Sequence, residues 1–227
     1  MTHYPFPDSR GTKIAFAAFF TAMLFLARDS MFTTAVIGFE KAQFLMLGVI
    51  CLLGVAFLIA NRRNLLQILK DRRMIVVVGS AAVCLLPMLV KRDWQLMYFS
   101  VLLCLLTAVF LSYFLTLRDA AKYYVAILSV LGAYSVLAAY ILRIGVDRGA
   151  YAVPVFRNSM GFEFHNFFLS IVPDTYVKNR NFGIFREPGV YQFFLITALY
   201  LNNYEVEWKK PWQLWLVNGI LAATMVS

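Results

Sequence analysis

The residues of this chain that could do chemistry gather in one stretch, Lys178-Asn179-Arg180-Asn181-Phe182-Gly183-Ile184-Phe185-Arg186-Glu187-Pro188-Gly189-Val190-Tyr191. Guanidinium groups such as those of Arg180 and Arg186 bind phosphate through paired hydrogen bonds and keep their charge at any relevant pH. Pro188 suits the first residue of a helix, where a missing N–H costs nothing, and the free N–H groups of such a helix start attract anions. Charge contacts at the edge of lipid are stronger than in water. These residue types in this order predict a site for a phosphate-bearing lipid. Arg186, Glu187 and Arg180 are its catalytic candidates: the arginines neutralise charge on a leaving phosphate, and Glu187 serves as a base or orients an arginine. Arg157, Lys178, Tyr191 and His165 are the candidate substrate contacts. Each also has a plainer reading. Arg186 with Glu187 makes an interfacial ion pair, Arg157 a headgroup contact, His165 an interfacial polar residue, and Tyr191 a packing residue one turn into the helix.

The element that must hold these groups is the long connection from Arg143 to Glu187. Connections of this length without structure of their own are uncommon and are usually functional or disordered. Tyr151, Phe156, Phe162, Phe164, Phe167, Phe168, Tyr176, Phe182 and Phe185 make this one too aromatic for disorder. Its cations Arg143, Arg148, Arg157, Lys178, Arg180 and Arg186 outnumber Asp147, Glu163, Asp174 and Glu187. The run Phe162 to Leu169 mixes aromatic and polar groups, which predicts a short helix lying in the headgroup layer.

Around that connection the composition is that of a membrane protein. Of 227 residues, 61% are hydrophobic and 15% charged, with a mean hydropathy of +0.70. A soluble domain is roughly 45–50% apolar and about 25% charged. Seven apolar segments are candidate spans, each to be measured against the roughly 20 residues that cross a bilayer: 14–27, 42–60, 74–90, 95–117, 123–142, 188–204 and 212–227. The expected fold is therefore all-α, a polytopic transmembrane helical bundle of about seven spans. Its expected division is an amino-terminal bundle of about five spans over 1–142, a large outer loop over 143–187, and spans six and seven over 188–227. A signal peptide at the first segment is disfavoured, because Arg28-Asp29 follows where a small-residue cleavage site belongs.

The net charge of +9 then has a topological meaning. Arg10, Lys13, Arg62, Arg63, Lys70, Arg72, Arg73, Arg118, Lys122, Lys209 and Lys210 fall on one side of the expected spans, against Arg28, Lys41, Lys91 and Arg92 in the opposite short loops. Cation-rich short loops face the cytoplasm, so the amino terminus is expected inside and the large loop outside. Nucleic-acid binding is not needed to explain the charge. Cys51, Cys84 and Cys104 all sit in apolar runs and read as small buried hydrophobes, with neither a disulfide framework nor a metal set.

Gly183-x-Phe185-x-Glu187-Pro188, with Arg180 three residues upstream of Gly183 and an apolar run downstream, resembles the signature of bacterial O-antigen ligase and polymerase-like proteins. The likeness is tight over 178–195 and loose over the second to seventh candidate spans. It implies a GT-C-like membrane enzyme of the bacterial inner membrane that needs no metal and no cofactor. The implied donor is a glycan on undecaprenyl diphosphate, and the implied acceptor is a lipid-linked repeat unit or a lipid A-core glycolipid. Members have further spans and a second functional outer region, so this chain is expected to be an amino-terminal part, inactive alone. The family's ligase histidine lies in the carboxyl-terminal part, and His165 matches no motif of the family. The rival expectation is a polysaccharide or lipid-carrier transporter, which should place charged or broken helices near the midplane.

Overall fold

The structure, a computed structural model, describes residues 70–92, 116–157, 162–174, 181–185 and 188–226, with isolated positions within 18–55 and at 105 and 112. The chain divides into two compact units, Met1–Ile14 with Phe39–Thr116, and Ala15–Gly38 with Leu117–Ser227.

In the first unit, helix α1 covers Arg72–Lys91. Asp71 caps it, its Oδ1 accepting from the Arg73 N–H at 2.9 Å. Arg92 ends it in the left-handed conformation, at φ 52°. Ile75, Val83, Leu86 and Val90 are exposed, so this helix is apolar outward as well as inward. Cys84 is buried and free; Cys51 and Cys104 lie outside the described residues.

The second unit is built on one continuous helix. Helix α2, Leu117–Leu137, passes through a π segment, Ala138–Leu142, into the short helix α3, Arg143–Asp147. The 31 residues of Leu117–Asp147 extend about 46 Å at ~1.5 Å per residue. Helices α4, Pro188–Tyr204, and α5, Pro211–Val226, pack on α2 and on each other. Val125, Leu128, Leu131, Tyr191, Leu195, Ala198 and Leu221 form their shared core. Gly132 lets α5 approach, since a Cβ there would stand 2.7 Å from the Thr224 Oγ1. Arg118 pairs with Glu207 at 2.8 Å across the far end of the bundle. The sequence between α3 and α4 contains an antiparallel sheet of β1, Val155–Arg157, β2, Glu163–Asn166, and β3, Ile171–Pro173, in that order. Its register pairs Val155 with His165 and His165 with Val172.

Two expectations are corrected here. The fold is not an all-α bundle of about seven spans of GT-C-like form. The described residues hold five α-helices and a three-stranded sheet, and two of the helices, Arg72–Lys91 and Leu117–Asp147, are long and apolar enough to cross a membrane. Helix α4, with 17 residues, falls short of that length; apolarity alone made that segment read as a span. The candidate segments at 14–27, 42–60 and 95–117 lie largely outside the described residues. The short headgroup helix around 162–169 is also absent. Glu163-Phe164-His165-Asn166 alternates sides as a strand does, burying Phe164 on one face.

Candidate functional site

Ahead of α4 the chain makes a fully buried turn, Asn181 to Phe185. Asn181 builds the turn from within: its Oδ1 accepts from the Gly183 N–H at 2.9 Å, an Asx turn. Gly183 has φ +53°, and a Cβ there would meet the Tyr191 ring at 2.6 Å. Glycine is thus required twice, by the left-handed backbone and by the tyrosine lying against it. The Gly183 carbonyl accepts from the Ile171 N–H at 2.7 Å, tying the turn to β3. Phe185, wholly buried, stacks on Phe194 with centroids 4.5 Å apart and leans on Tyr191 at 5.6 Å. It also bridges to Ser30 in an isolated antiparallel pair.

Ser135 on α2 is the polar hub. Its hydroxyl donates to the Gly132 carbonyl at 2.8 Å and accepts from the Asn181 Nδ2 at 2.8 Å. The Tyr191 hydroxyl stands 3.2 Å away; with the serine proton already committed to Gly132, the phenol is the donor in this contact. Asn181, Ser135 and Tyr191 are all buried, and a buried polar group is costly unless it is bonded. Beside this network opens a cavity of about 300 Å³. Pro188, Gly189, Tyr191 and Gln192 line it from the first turn of α4, Asn181 from the turn before, and Thr224 and Met225 from the end of α5. Its walls combine neutral donors and acceptors with apolar side chains.

The residues expected from sequence are placed unevenly. Tyr191 lines the cavity. Pro188 opens α4, the position that suits proline. Arg157 lies on β1 opposite Glu163, its Nε donating to the Glu163 Oε1 at 2.7 Å, with both side chains solvent-accessible. His165 lies on β2, with Nε2 3.5 Å from the Asp174 Oδ1 and a buried Nδ1 that has no hydrogen-bond partner. Neither Arg157 nor His165 lines the cavity. Arg186, Glu187, Arg180 and Lys178 lie outside the described residues. No group of His, Cys, Asp and Glu suited to a metal ion occurs among the described residues.

Asn181 and Ser135 were not singled out from sequence. Asn181-Phe182-Gly183 did carry a signal, an asparagine two residues before a glycine, the pattern of an Asx turn. Ser135 carried none, since its partners are 46 and 56 residues away.

No protein-family model, curated protein or solved structure matches this chain.

Proposed function

We propose that this chain belongs to a membrane enzyme that transfers a glycan from a lipid diphosphate to an acceptor hydroxyl, at the outer face of the bacterial cytoplasmic membrane. The observation that carries the reading is the cavity at the first turn of α4, lined by Pro188 and Gly189, which directly follow Arg186-Glu187 in the chain. A glycan takes neutral hydrogen-bonding walls such as those of Asn181, Tyr191 and Gln192. A diphosphate takes arginines.

In the proposed reaction the acceptor oxygen attacks the anomeric carbon of the donor sugar. Its proton passes to the Glu187 carboxylate. The bond from the anomeric carbon to the diphosphate oxygen breaks, and the lipid diphosphate leaves with its negative charge held by Arg180 and Arg186. The resemblance noted above makes that lipid undecaprenyl diphosphate and the acceptor a glycolipid, in a protein whose amino terminus is cytoplasmic. Tyr123 to Leu142, the middle of the Leu117–Asp147 helix, carries no charged residue, which disfavours a transporter with charged groups at the midplane.

The test is Arg186→Ala in the full-length protein, with surface glycan length read on a gel. Shortened or absent glycan at normal protein level is expected. Unchanged glycan at that level would overturn the reading.

A further inference from the structure

The β2–β3 turn places a phenylalanine where folding alone gives no reason for one. Phe168 has φ +69°, a conformation that glycine adopts freely and a side chain makes costly. Its ring is not packed in return, being 77% exposed. The turn is nevertheless firmly held. The Phe168 N–H donates to the Asn166 Oδ1 at 2.8 Å, the Phe167 N–H to the Ser170 carbonyl at 2.9 Å, and the Leu169 N–H to the Phe167 carbonyl at 2.9 Å. The Phe167 carbonyl also accepts from the Tyr134 hydroxyl at 2.6 Å. A rigid turn thus holds one aromatic ring outward at the cost of backbone strain.

The hairpin lies along the Leu117–Asp147 helix in a definite direction. At its open end the Arg143 Nη2 donates to the Asp174 carbonyl at 3.0 Å. At its tip, Phe167 packs on Ala138 and the Phe167 carbonyl is held by Tyr134. The tip therefore points back toward the middle of the helix. Charges bound the apolar part of that helix, Lys122 on one side and Arg143 on the other, leaving Tyr123–Leu142 between them. At ~1.5 Å per residue this stretch matches the roughly 30 Å of a hydrocarbon core. Tyr134 and Ala138 then lie about 6–12 Å inside its outer edge. Irregular backbone survives at that depth where protein satisfies its polar groups; the N–H groups at 167, 168 and 169 are bonded, and the Ser170 hydroxyl beside them is buried without a partner.

We propose that the β2–β3 turn dips into the leaflet at the Arg143 end of the helix and that Phe168 inserts among the acyl chains of the bilayer, anchoring the sheet to the lipid. The insertion requires the Leu117–Asp147 helix to lie in a membrane and is independent of the transfer chemistry, so the outcome at Arg186 has no bearing on it.

Full-length protein with every cysteine, Cys51, Cys84 and Cys104 among them, changed to alanine carries one new cysteine, Phe168→Cys, or Ala152→Cys as an exposed comparison, labelled with the fluorophore NBD and reconstituted in phosphatidylcholine vesicles. At 168 the emission should be blue-shifted, quenched several-fold by doxyl-labelled phosphatidylcholine, and protected from iodide relative to 152. Iodide quenching equal at the two positions would overturn the insertion. Protection from both quenchers would also overturn it, since the ring would then be covered by protein. Should the cysteine-free chain not fold, Phe168→Trp in the otherwise unchanged chain serves, with brominated phosphatidylcholine as the quencher. Quenching above that of the unsubstituted protein supports insertion, and no increase overturns it.

Discussion

An asparagine network built on one buried amide stands near each end of helix α4, and the two differ in what surrounds them. Near the carboxyl end, the Asn202 Nδ2 donates to the Asn218 Oδ1 at 2.8 Å, and the Asn202 Oδ1 accepts from the Trp208 indole at 2.8 Å. Asn203 and Asn218 exchange hydrogen bonds at 3.1 and 3.2 Å. This network ties α4 to α5 and to the turn that joins them. Near the amino end, Asn181 joins Ser135 and, through it, Tyr191, and two of these three residues line a cavity. The first network closes a helical hairpin. The second fixes the wall of a space large enough for a ligand. Buried amides in an apolar unit therefore have two uses here, and the adjacent volume distinguishes them.

The largest effect is expected at the cavity end from Gly183→Ala. The left-handed backbone costs a non-glycine residue roughly 1–2 kcal/mol, and crowding a packed site costs about 1–3 kcal/mol more. The new methyl group would stand 2.6 Å from the Tyr191 ring. A loss near 3 kcal/mol is expected on these grounds, read as a fall of several degrees in thermal unfolding in detergent. Transfer activity should be lost with it, because Tyr191 must shift and it lines the cavity. An unfolding midpoint equal to that of the unsubstituted protein would show that the turn is not held as described.

A matched pair of variants, Asn202→Ala and Asn181→Ala, separates the two networks by use. Each removes a buried amide and strands a donor, the Trp208 indole in one case and the Gly183 N–H in the other. Leaving a buried donor without its partner costs about 1–3 kcal/mol, so the two losses of stability should be similar. Activity per folded molecule should separate them. It should be unchanged for Asn202→Ala and fall about tenfold for Asn181→Ala, the equivalent of roughly 1.4 kcal/mol in the barrier. Equal activity in the two variants would make both networks structural and remove the cavity from the proposed site.

The two regions also differ in how far they could be read from sequence. Helix α4 was legible because an apolar run behind a proline has a local physical cause: Pro188 cannot continue a preceding helix but starts one well. The core of α1 was legible for the same reason of local apolarity. The sheet was not, because strands of three and four residues are too short to show their period. Phe164 reads equally well as one face of a helix until Phe156 and Pro173 are seen beside it. Ser135 was illegible in principle, a small polar residue in an apolar helix whose partners come from the other end of a long connection. The charged candidates show the opposite bias. Arg157 drew notice by its type, and its geometry is that of a cross-strand ion pair.

That pair defines the smallest expected effect. The Arg157 side chain is 71% exposed and that of Glu163 36%. Exposed pairs contribute between nothing and about 1 kcal/mol, because water screens them and two long side chains must be ordered. Arg157→Ala should therefore shift thermal unfolding within the error of the measurement and leave transfer activity intact. The cation is 29 residues before Arg186 in the chain, on the outer strand of the sheet. Activity that falls while the unfolding midpoint holds would mean that Arg157 leaves Glu163 to meet a phosphate. Glu163→Gln then distinguishes the two roles. It frees the arginine without removing it, so activity should rise if Arg157 binds substrate, whereas neither variant should alter activity if the pair only latches β1 to β2.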